Sequence, residues 1–236
     1  MTPSQPFPWS AIDTVLLDMD GTLLDLYFDN HFWQEHLPRR FAEHHGREAE
    51  AARLELEQLF AEQRGTLNWY CLDYWSQRLE IDISELKREV QHLIAIRPWV
   101  ETFLGWLHTS ERQVWLVTNA HRKSLEIKLE CTGIDRWCDQ VISSHDFQAP
   151  KESPVFWEQL QAAYPFDPAR ALLIDDTPSV LAAAQRYGIG HLLTLLQPDS
   201  RQAQRERCEF PGIMHFDEIM PVAARLAPRP DGAAAS

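Results

Sequence analysis

The segment Thr14-Val-Leu-Leu-Asp-Met-Asp-Gly-Thr-Leu23 joins a short apolar run to two closely spaced acids and a glycine. Its apolar part, residues 15–17, has the length and composition of a strand that is buried on both faces of a parallel sheet. The run stops at two carboxylates, Asp18 and Asp20, and Gly21 then lets the chain turn sharply. Ligands of open α/β sheets bind at the carboxyl ends of the strands. The stretch therefore predicts a buried strand that ends in a functional site.

Polar residues that follow short apolar runs recur later in the chain. They are Thr118 and Asn119 after residues 113–117, Lys151 after residues 141–142 and before a helix, and Asp175 and Asp176 after residues 171–174. This alternation of helices and strands predicts an α/β fold, a parallel sheet with right-handed crossovers and helices on both faces. The carboxyl ends of its strands lie at one edge, so we expect these side chains to share a crevice.

A long segment without a convincing strand, residues 26–97, follows the first strand. Its short amphipathic stretches predict an all-helical domain, because none of them buries its apolar face alone. Asp29 or Asn30 is expected to cap the first helix, and Pro38 is expected to kink or interrupt it. Residues 68–79 are expected to form one further helix.

The remaining residues are assigned to the α/β part. The predicted core comprises residues 1–25 and 98–226, and the segment 26–97 is inserted into it as a separate helical domain. Residues 227–236 carry two prolines and a run of alanines, and we expect this tail to be disordered.

The charge and hydropathy of the chain narrow its function classes. It has 22 basic and 35 acidic residues, a formal net charge of −13 and a pI near 5.2. Such a chain is a poor nucleic-acid binder, because binding to phosphate backbones relies on clustered lysine and arginine. No apolar run approaches the roughly 18–20 residues that span a bilayer, and the first ten residues are not typical of a secretory signal. We therefore expect a cytoplasmic protein with no nucleic-acid or membrane partner.

Neither cysteine nor histidine shows the spacing of a metal site. The four cysteines form no CxxC pair and no zinc pattern. The ten histidines are scattered along the chain. Free thiols in a reducing compartment are the expected state of the cysteines, and the sequence predicts no site for a soft metal.

The predicted crevice holds more negative charge than its lysine neutralises. Four carboxylates meet there, those of Asp18, Asp20, Asp175 and Asp176. At about 6 Å and an effective dielectric constant near 20, each pair of carboxylates costs roughly 3 kcal/mol. Lys151 offsets one charge only. A hard, oxygen-preferring cation such as Mg²⁺ resolves the excess and attracts a phosphate group, so we expect a magnesium site.

The order of these residues resembles the four motifs of the haloacid dehalogenase-like (HAD) hydrolase superfamily. The motifs correspond to Asp18-Met-Asp20-Gly-Thr22, Thr118, Lys151 and the pair Asp175-Asp176. The helical segment after the first motif is similar to a cap domain of this family. The resemblance implies a Rossmann-like core with an all-helical cap. Dehalogenating members lack a carboxylate at the position of Asp20, so its presence implies phosphoryl transfer.

The resemblance also implies a role for each motif residue. Asp18 is implied as the nucleophile that forms an aspartyl-phosphate, and Asp20 as the general acid and base. The residues implied to bind the phosphoryl end of the substrate are Thr118, Asn119 and Lys151. The ligands implied for Mg²⁺ are Asp18, the backbone carbonyl of Asp20, Asp176 directly and Asp175 from the outer shell.

Substrate specificity is expected from the helical insert, in which residues 66–75 are unusually aromatic. A stacking face for a base is expected from Trp69, Tyr70, Tyr74 and Trp75, and Asn68 or Asp73 is expected to read the edge of the base. The alternative is that the aromatic residues only form the core of the insert. This stretch, together with Asp29-Asn-His-Phe-Trp33 and Thr118-Asn-Ala-His121, resembles the purine-nucleotide 5'-phosphatases of the superfamily. The resemblance implies a Mg²⁺-dependent 5'-nucleotidase acting on GMP and IMP, with a small-molecule phosphate monoester as the partner.

Two other functions stay open on the sequence. The core motifs do not separate phosphatases from phosphomutases, so a sugar-phosphate phosphatase or phosphomutase is one alternative. A phospho-accepting switch also uses an acid pair, an aspartate, a threonine and a lysine, although the insert after the first strand argues against it. Turnover discriminates among them, because a mutase yields no net phosphate and a switch keeps its phosphoryl group.

Overall fold

A computed structural model describes residues 7–226, and within them a parallel six-stranded sheet forms the centre of the fold. In spatial order the strands run β3-β2-β1-β4-β5-β6. Their bounds are β1 Thr14–Leu17, β2 Gln113–Thr118, β3 Gln140–Ser143, β4 Ala171–Ile174, β5 His191–Leu195 and β6 Gly212–Ile213. The expected parallel sheet is confirmed. The sequence reasoning missed β6, which is too short to give an apolar run, and the predicted disordered tail, 227–236, lies outside the described residues.

Helices precede, follow and connect these strands. The α-helices of the described chain are α1 Tyr27–His31, α2 Leu37–His45, α3 Ala49–Gln63, α4 Leu72–Leu79, α5 Ile83–Glu89, α6 Val100–His108, α7 Arg122–Thr132, α8 Pro154–Ala163, α9 Pro178–Tyr187 and α10 Val222–Arg225. A π-helical segment spans Phe32–His36, and 3₁₀ turns span Trp9–Ala11, Leu67–Tyr70, Gln91–Leu93, Ile134–Trp137, Ser144–Phe147, Pro168–Arg170 and Phe216–Glu218. Across residues 7–226, no helix combines the length and the apolar composition needed to cross a bilayer.

The central strand β1 is buried on both faces, as its apolar sequence predicted. Val15 and Leu17 belong to an apolar cluster that includes residues of α6. Leu16, which points to the other face, belongs to a second cluster with residues of α8 and α9. Helices therefore cover both faces of the sheet, and the polar residues after the strands emerge at an edge flanked by these layers.

The helical insert leaves and re-enters the α/β part along two adjacent segments. Leu24 and Ile96 form an isolated antiparallel bridge, and the amide of Arg97 donates to the carbonyl of Leu23 at 3.0 Å. Between these points α1 to α5 pack around their own apolar cluster. Its buried members include Phe28, Phe32, Leu56, Trp75 and Leu86. The expected all-helical insert after the first strand is thus present.

The start of the insert differs from the expectation at its cap and at the proline. Neither Asp29 nor Asn30 caps a helix, since both lie inside α1 and Asp25 accepts the first amide of that helix at 3.0 Å. The chain then continues through Phe32–His36 into α2, so Pro38 lies in the first turn of α2 and does not interrupt the run. Proline lacks an amide proton and its ring crowds the preceding turn, and the wider π-helical turn accommodates both effects.

Residues 68–79 do not form one helix. A 3₁₀ turn, Leu67–Tyr70, precedes α4, and Cys71 lies between them with its Sγ accepting the amide of Tyr74 at 3.4 Å. The sulfur takes the place of the oxygen acceptor usual at a helix start. Because the helix begins only after Cys71, Tyr70 is free to reach Glu152 of the α/β part, where its hydroxyl donates at 2.8 Å.

Candidate active site

Lys151 joins two of the predicted acids at the carboxyl edge of the sheet. Its Nζ donates to Asp18 Oδ1 at 2.6 Å and to Asp175 Oδ2 at 2.7 Å. A third bond runs to the carbonyl of Val117 at 2.9 Å. The two acids follow the neighbouring strands β1 and β4, and all three charged side chains are buried. With its three donors used, the lysine is held as a fixed positive charge between the carboxylates.

Asp176 completes a cluster of three carboxylates whose oxygens lie within 4.8 Å of one another. Both oxygens of Asp175 are engaged, one by Lys151 and the other by the amide of Thr177 at 2.9 Å. Both oxygens of Asp176 accept longer bonds, Oδ1 from the Thr177 hydroxyl at 3.2 Å and Oδ2 from Arg205 at 3.4 Å. Asp18 and Asp176 therefore offer oxygens that the protein engages less than those of Asp175.

The donor set of this cluster suits a hard divalent cation such as Mg²⁺. All of its donors are carboxylate oxygens. Three acids outnumber Lys151 and Arg205, whose guanidinium lies 3.4 Å from Asp176 Oδ2. The turn at Gly21, where φ is +84°, packs so closely on the cluster that a Cβ there would lie 2.7 Å from Asp176 Cγ. The absence of a side chain at this position lets the loop after β1 and Asp176 approach each other.

Burial raises the pKa of each acid in the cluster. The pKa of Asp18 rises to about 6 because burial and the charge of Asp175 outweigh the attraction of Lys151. Burial raises the pKa of Asp175 too, and that of Asp176 well above its usual value. Burial disfavours the charge of Lys151, but Asp175 and Asp18 outweigh that effect and raise its pKa. Ionised acids in this cluster are thus held at a free-energy cost that a bound cation relieves.

Asp20 belongs to a separate ionic network that links the insert to the α/β part. Lys128 Nζ, on α7, lies 2.6 Å from Asp20 Oδ1 and 2.6 Å from Asp29 Oδ2. The other oxygen of Asp29 accepts from Lys87 Nζ of α5 at 2.7 Å. The side chains of Lys128 and Lys87 are 1% and 2% exposed. Two buried lysines and two carboxylates therefore form one alternating chain of charge.

The two acids of this network titrate differently. Burial raises the pKa of Asp20 to about 6, with Lys128 opposing and Asp29 adding to the rise. Burial also acts to raise the pKa of Asp29, but Lys128 and Lys87 outweigh it and hold the value at about 2. Asp29 is therefore a permanent anion near neutral pH. Asp20 lies near its own transition, as a group that accepts and donates protons requires.

Thr118 and Asn119 lie at the end of β2, as the sequence predicted, but have different partners. The Thr118 hydroxyl oxygen accepts a hydrogen bond from the backbone amide of Ala120 at 3.0 Å, so the hydroxyl proton remains available to a group in the cavity. Asn119 Oδ1 accepts the amide of Lys151 at 2.9 Å, and its Nδ2 donates to Glu152 at 3.0 Å. Tyr70 of the insert donates to the other oxygen of Glu152. Both polar atoms of the Asn119 side chain are thus engaged, and its bond to the backbone of Lys151 helps to position that lysine.

A cavity of about 820 Å³ lies between the sheet edge and the insert. The predicted site residues that line it are Asp18, Asp20, Trp69, Thr118, Asn119, Lys151 and Asp176. The insert also contributes Trp33, Phe60, Arg64, Tyr70 and Trp75. Asn68 does not line it, because this exposed residue donates to Gln63 at 3.2 Å on the surface of the insert.

The aromatic stretch of the insert divides between this cavity and the insert core. Trp75 is 1% exposed and its Nε1 donates to the carbonyl of Trp69 at 3.0 Å, so it is part of the core. Trp69 is partly exposed and lies edge-on to Phe60, with ring centroids 6.0 Å apart. Core packing therefore accounts for Trp75, whereas Trp69 lies partly exposed at the cavity, and its stacking role stays a prediction.

Sequence reasoning missed Lys128, Glu152 and Arg205. Lys128 lies in the middle of α7, and Arg205 reaches the carbonyl of Asp176 at 2.6 Å from the loop after β5. Neither belongs to a recognisable motif, so only the folded chain brings them to the site. Glu152 directly follows Lys151 in the sequence, and this position next to a predicted site residue is the one feature that indicates it.

Comparison with known proteins gives a family and relatives. The profile of the family described as haloacid dehalogenase-like hydrolase matches residues 12–188. The chain is 39% identical over 213 residues to the GMP/IMP nucleotidase YrfG of Escherichia coli, covering 90% of this chain and 96% of that protein. The protein of the same name from Shigella flexneri gives the same figures.

Solved structures share the fold. A HAD phosphatase from Thermococcus onnurineus superposes with a TM-score of 0.73 and 20% identity, covering 88% of this chain and 96% of that one. The putative HAD-hydrolase YfnB of Bacillus subtilis, described as bound to magnesium, gives a TM-score of 0.59 and 17% identity, with coverages of 88% and 96%. At these identities the likeness concerns the fold alone.

Proposed function

The chain belongs to the haloacid dehalogenase-like hydrolase family, and on that premise we propose that it is a Mg²⁺-dependent phosphomonoesterase for purine nucleoside 5'-monophosphates. The observation that carries the proposal is the bridge from Lys151 to Asp18 and Asp175, beneath a cavity large enough for a nucleotide. The 39% identity to a GMP/IMP nucleotidase supports GMP and IMP as substrates.

Asp18 is the proposed nucleophile. Lys151 holds one of its oxygens at 2.6 Å, which orients the carboxylate and leaves the other oxygen free of the lysine. That oxygen forms a bond to phosphorus as the bond from phosphorus to the nucleoside oxygen breaks, giving an aspartyl-phosphate. Lys151 and the Thr118 hydroxyl offset the negative charge on the phosphoryl oxygens.

Asp20 is the proposed general acid and base. In the first step its proton passes to the leaving oxygen of the nucleoside. In the second its carboxylate takes a proton from the water that attacks phosphorus, the bond to Asp18 breaks, and phosphate is released with both acids restored. The ion pair with Lys128 at 2.6 Å fixes the direction of this carboxyl group at the cavity.

The proposed ligands of Mg²⁺ are Asp18, Asp176 and the backbone carbonyl of Asp20. The longer bonds to Asp176, 3.2 and 3.4 Å, support its choice as a direct ligand. Asp175 accepts shorter bonds on both oxygens, at 2.7 and 2.9 Å, so we assign it to the outer shell, where it positions Lys151. When bound, the ion supplies positive charge that attracts the phosphate and stabilises the transition state.

We assign residues 26–97 to a cap that closes the cavity and binds the nucleoside. The partly exposed ring of Trp69 offers a stacking face, and Trp33 and Phe60 extend the aromatic wall. Asn68, which lies outside the cavity, has no part in this proposal.

A panel of phosphate esters with released phosphate as the readout tests the proposal. We expect GMP and IMP to be hydrolysed faster than AMP or ribose 5-phosphate, and EDTA to abolish turnover. Asp18→Asn should lose activity by at least about 1000-fold, and the control Asp135→Asn, at an exposed acid of a 3₁₀ turn, should keep it.

The outcomes of this panel separate the parts of the proposal. Preference for sugar phosphates, or indifference to the base, would refute the nucleotidase and leave a phosphatase. Conversion of a sugar phosphate without net phosphate would indicate a mutase. A stable phosphoprotein that releases little phosphate would indicate a switch, and more than trace activity in Asp18→Asn would remove Asp18 as the nucleophile.

A further inference from the structure

Cys71, His121 and His145 form a cluster outside the acid site that the proposed hydrolysis does not use. One donor atom from each lies within 4.8 Å of the others. Cys71 caps α4 in the insert, His121 caps α7, and His145 lies in the 3₁₀ turn after β3. Because the three residues come from separate elements, their spacing in the sequence gives no indication of the cluster.

The two histidines differ in how their ring nitrogens are engaged. His121 Nδ1 accepts a long bond from the amide of Lys123 at 3.4 Å, which places the ring proton on Nε2. Metal binding at Nε2 therefore requires this bond to break and the proton to move to Nδ1. His145 Nε2 is buried and has no hydrogen-bond partner among residues 7–226. A buried polar atom without a partner is costly, because it has lost water and gained no bond. A metal ion at this position supplies the missing partner.

The cluster offers two imidazoles and a thiol to a cation. Neutral imidazole is the form that binds metal, and the unperturbed imidazole pKa near 6.5 makes this form the main one at physiological pH. Asp73 Oδ2 lies 3.8 Å from His121 Nε2, while its other oxygen pairs with Lys123 at 2.6 Å. Metal binding releases the proton of the Cys71 thiol, and the resulting thiolate supplies the negative charge, since Lys123 balances that of Asp73.

We propose that Cys71, His121 and His145 bind a divalent transition metal of the zinc class, with Asp73 beside the fourth position. Thiolate and imidazole are the donors that zinc prefers, whereas the acid cluster offers only the hard oxygens that suit magnesium. Tetrahedral zinc holds its sulfur and nitrogen donors roughly 3.5 Å apart, so these donors have to draw together by about 1 Å. The two sites therefore select different metals.

The metal joins the insert to the sheet edge. Cys71 and Asp73 belong to the insert, whereas His121 and His145 belong to the α/β part. His121 also lines the cavity above the acid cluster. The bound metal holds the insert closed over that cavity and slows product release, a consequence that rests on the proposed hydrolase function, while metal binding itself does not.

Titration of the reduced protein with Co²⁺ in excess Mg²⁺ tests the site. A Co²⁺–thiolate bond gives a charge-transfer absorption band that carboxylate ligands do not give. We expect one Co²⁺ per chain with this band, displaced by Zn²⁺, which binds such donors more tightly. Cys71→Ser, which keeps a good helix cap, should lose the band, and the control Cys131→Ser, at an exposed cysteine, should retain it. His145→Ala should weaken Co²⁺ binding at least about 10-fold.

Absence of the band in the wild type, or its survival in Cys71→Ser, overturns the metal site. Circular dichroism of each variant shows whether it is folded. Inhibition by Zn²⁺ under saturating Mg²⁺ tests the closing effect separately. Inhibition of the wild type but not of Cys71→Ser supports it, and equal inhibition of both refutes it. The absorption assay needs no turnover, so failure of the metal site is distinguishable from failure of the proposed hydrolase.

Discussion

Replacing Asp29 by asparagine is expected to destabilise the fold far more than breaking an exposed ion pair of the same insert. Asp29 is 17% exposed and accepts from Lys87 and Lys128 at 2.7 and 2.6 Å. At these separations and an effective dielectric constant of 20, each attraction is about 6 kcal/mol before burial is counted. Burial offsets most of it, since a pKa of about 2 in place of 3.8 corresponds to about 2 kcal/mol.

Asparagine keeps the shape of Asp29 but leaves Lys87 without a salt-bridge partner within residues 7–226. The aromatic rings near its Nζ remain as attractive partners, those of Phe28, Phe32 and Trp33 at 4.8, 4.5 and 5.4 Å. Breaking one side of a buried ion pair costs about 3–5 kcal/mol, and we expect a loss of unfolding free energy in that range at pH 7. The control is Arg53→Met, at exposed pairs of α3, for which we expect less than about 1 kcal/mol.

Urea unfolding followed by circular dichroism measures both changes and their pH dependence. The pKa of Asp29 is lower in the folded state than in the unfolded state, where it is about 4. Its stabilisation is therefore complete above about pH 4 and is lost as the pH falls towards about 2. The difference between wild type and Asp29→Asn should shrink through that window. A loss equal to that of Arg53→Met at pH 7, or a difference that does not change with pH, would refute the reasoning.

Three further predictions concern the acid cluster and the cavity. The pKa of Asp18 is raised to about 6 in the folded state, so the wild type loses stability as the pH rises from about 4 through 6. In EDTA at pH 7.5 we therefore expect Asp18→Asn to be more stable than the wild type by up to about 3 kcal/mol and to unfold at a higher temperature. A lower Tm would contradict this. Tyr70→Phe removes the hydrogen bond to Glu152 that supports Lys151 through Asn119, and kcat should fall roughly 10-fold; an unchanged kcat shows that this support is dispensable. Arg64 lines the cavity, and a guanidinium donates to the 6-oxo group that GMP and IMP carry where AMP has an amino group. Arg64→Met should therefore reduce kcat/KM at least about 10-fold for IMP and little for AMP; an equal loss for both, or a similar loss in the exposed control Arg78→Met, argues against a role in base selection.

Strand ends were predictable because their signals are local. A short apolar run that stops at acids, as at Asp18, marks both the strand and its end. The parallel topology then brings Asp175 next to it, although the two are far apart in the chain. The helix boundaries of the insert were less predictable. Pro38 was expected to kink or interrupt a helix, and the helical run instead continues through a π-helical segment into α2, with Pro38 in the first turn of α2.

The ionic partners of the site were beyond sequence reasoning for a different reason. Lys128 lies on a helix of alternating charged and apolar residues, where a solvated surface lysine is the ordinary expectation. Its burial depends on the insert covering that helix, which no local pattern records. The same holds for Asp29, which the sequence predicts as a helix cap but which forms ion pairs with Lys87 and Lys128 in the structure.

Contacts between the insert and the sheet edge couple the position of the insert to the chemistry. Asp29 holds the lysine that pairs with Asp20, and Tyr70 holds the glutamate that supports Asn119 and, through it, Lys151. A displaced insert therefore changes the surroundings of both the proposed acid and the lysine at the nucleophile. Because these contacts are buried and charged, a partly displaced insert would leave polar groups unpaired. We infer that the insert is part of the proposed site, since it lines the cavity and supplies the ionic partners around Lys128 and Asp20.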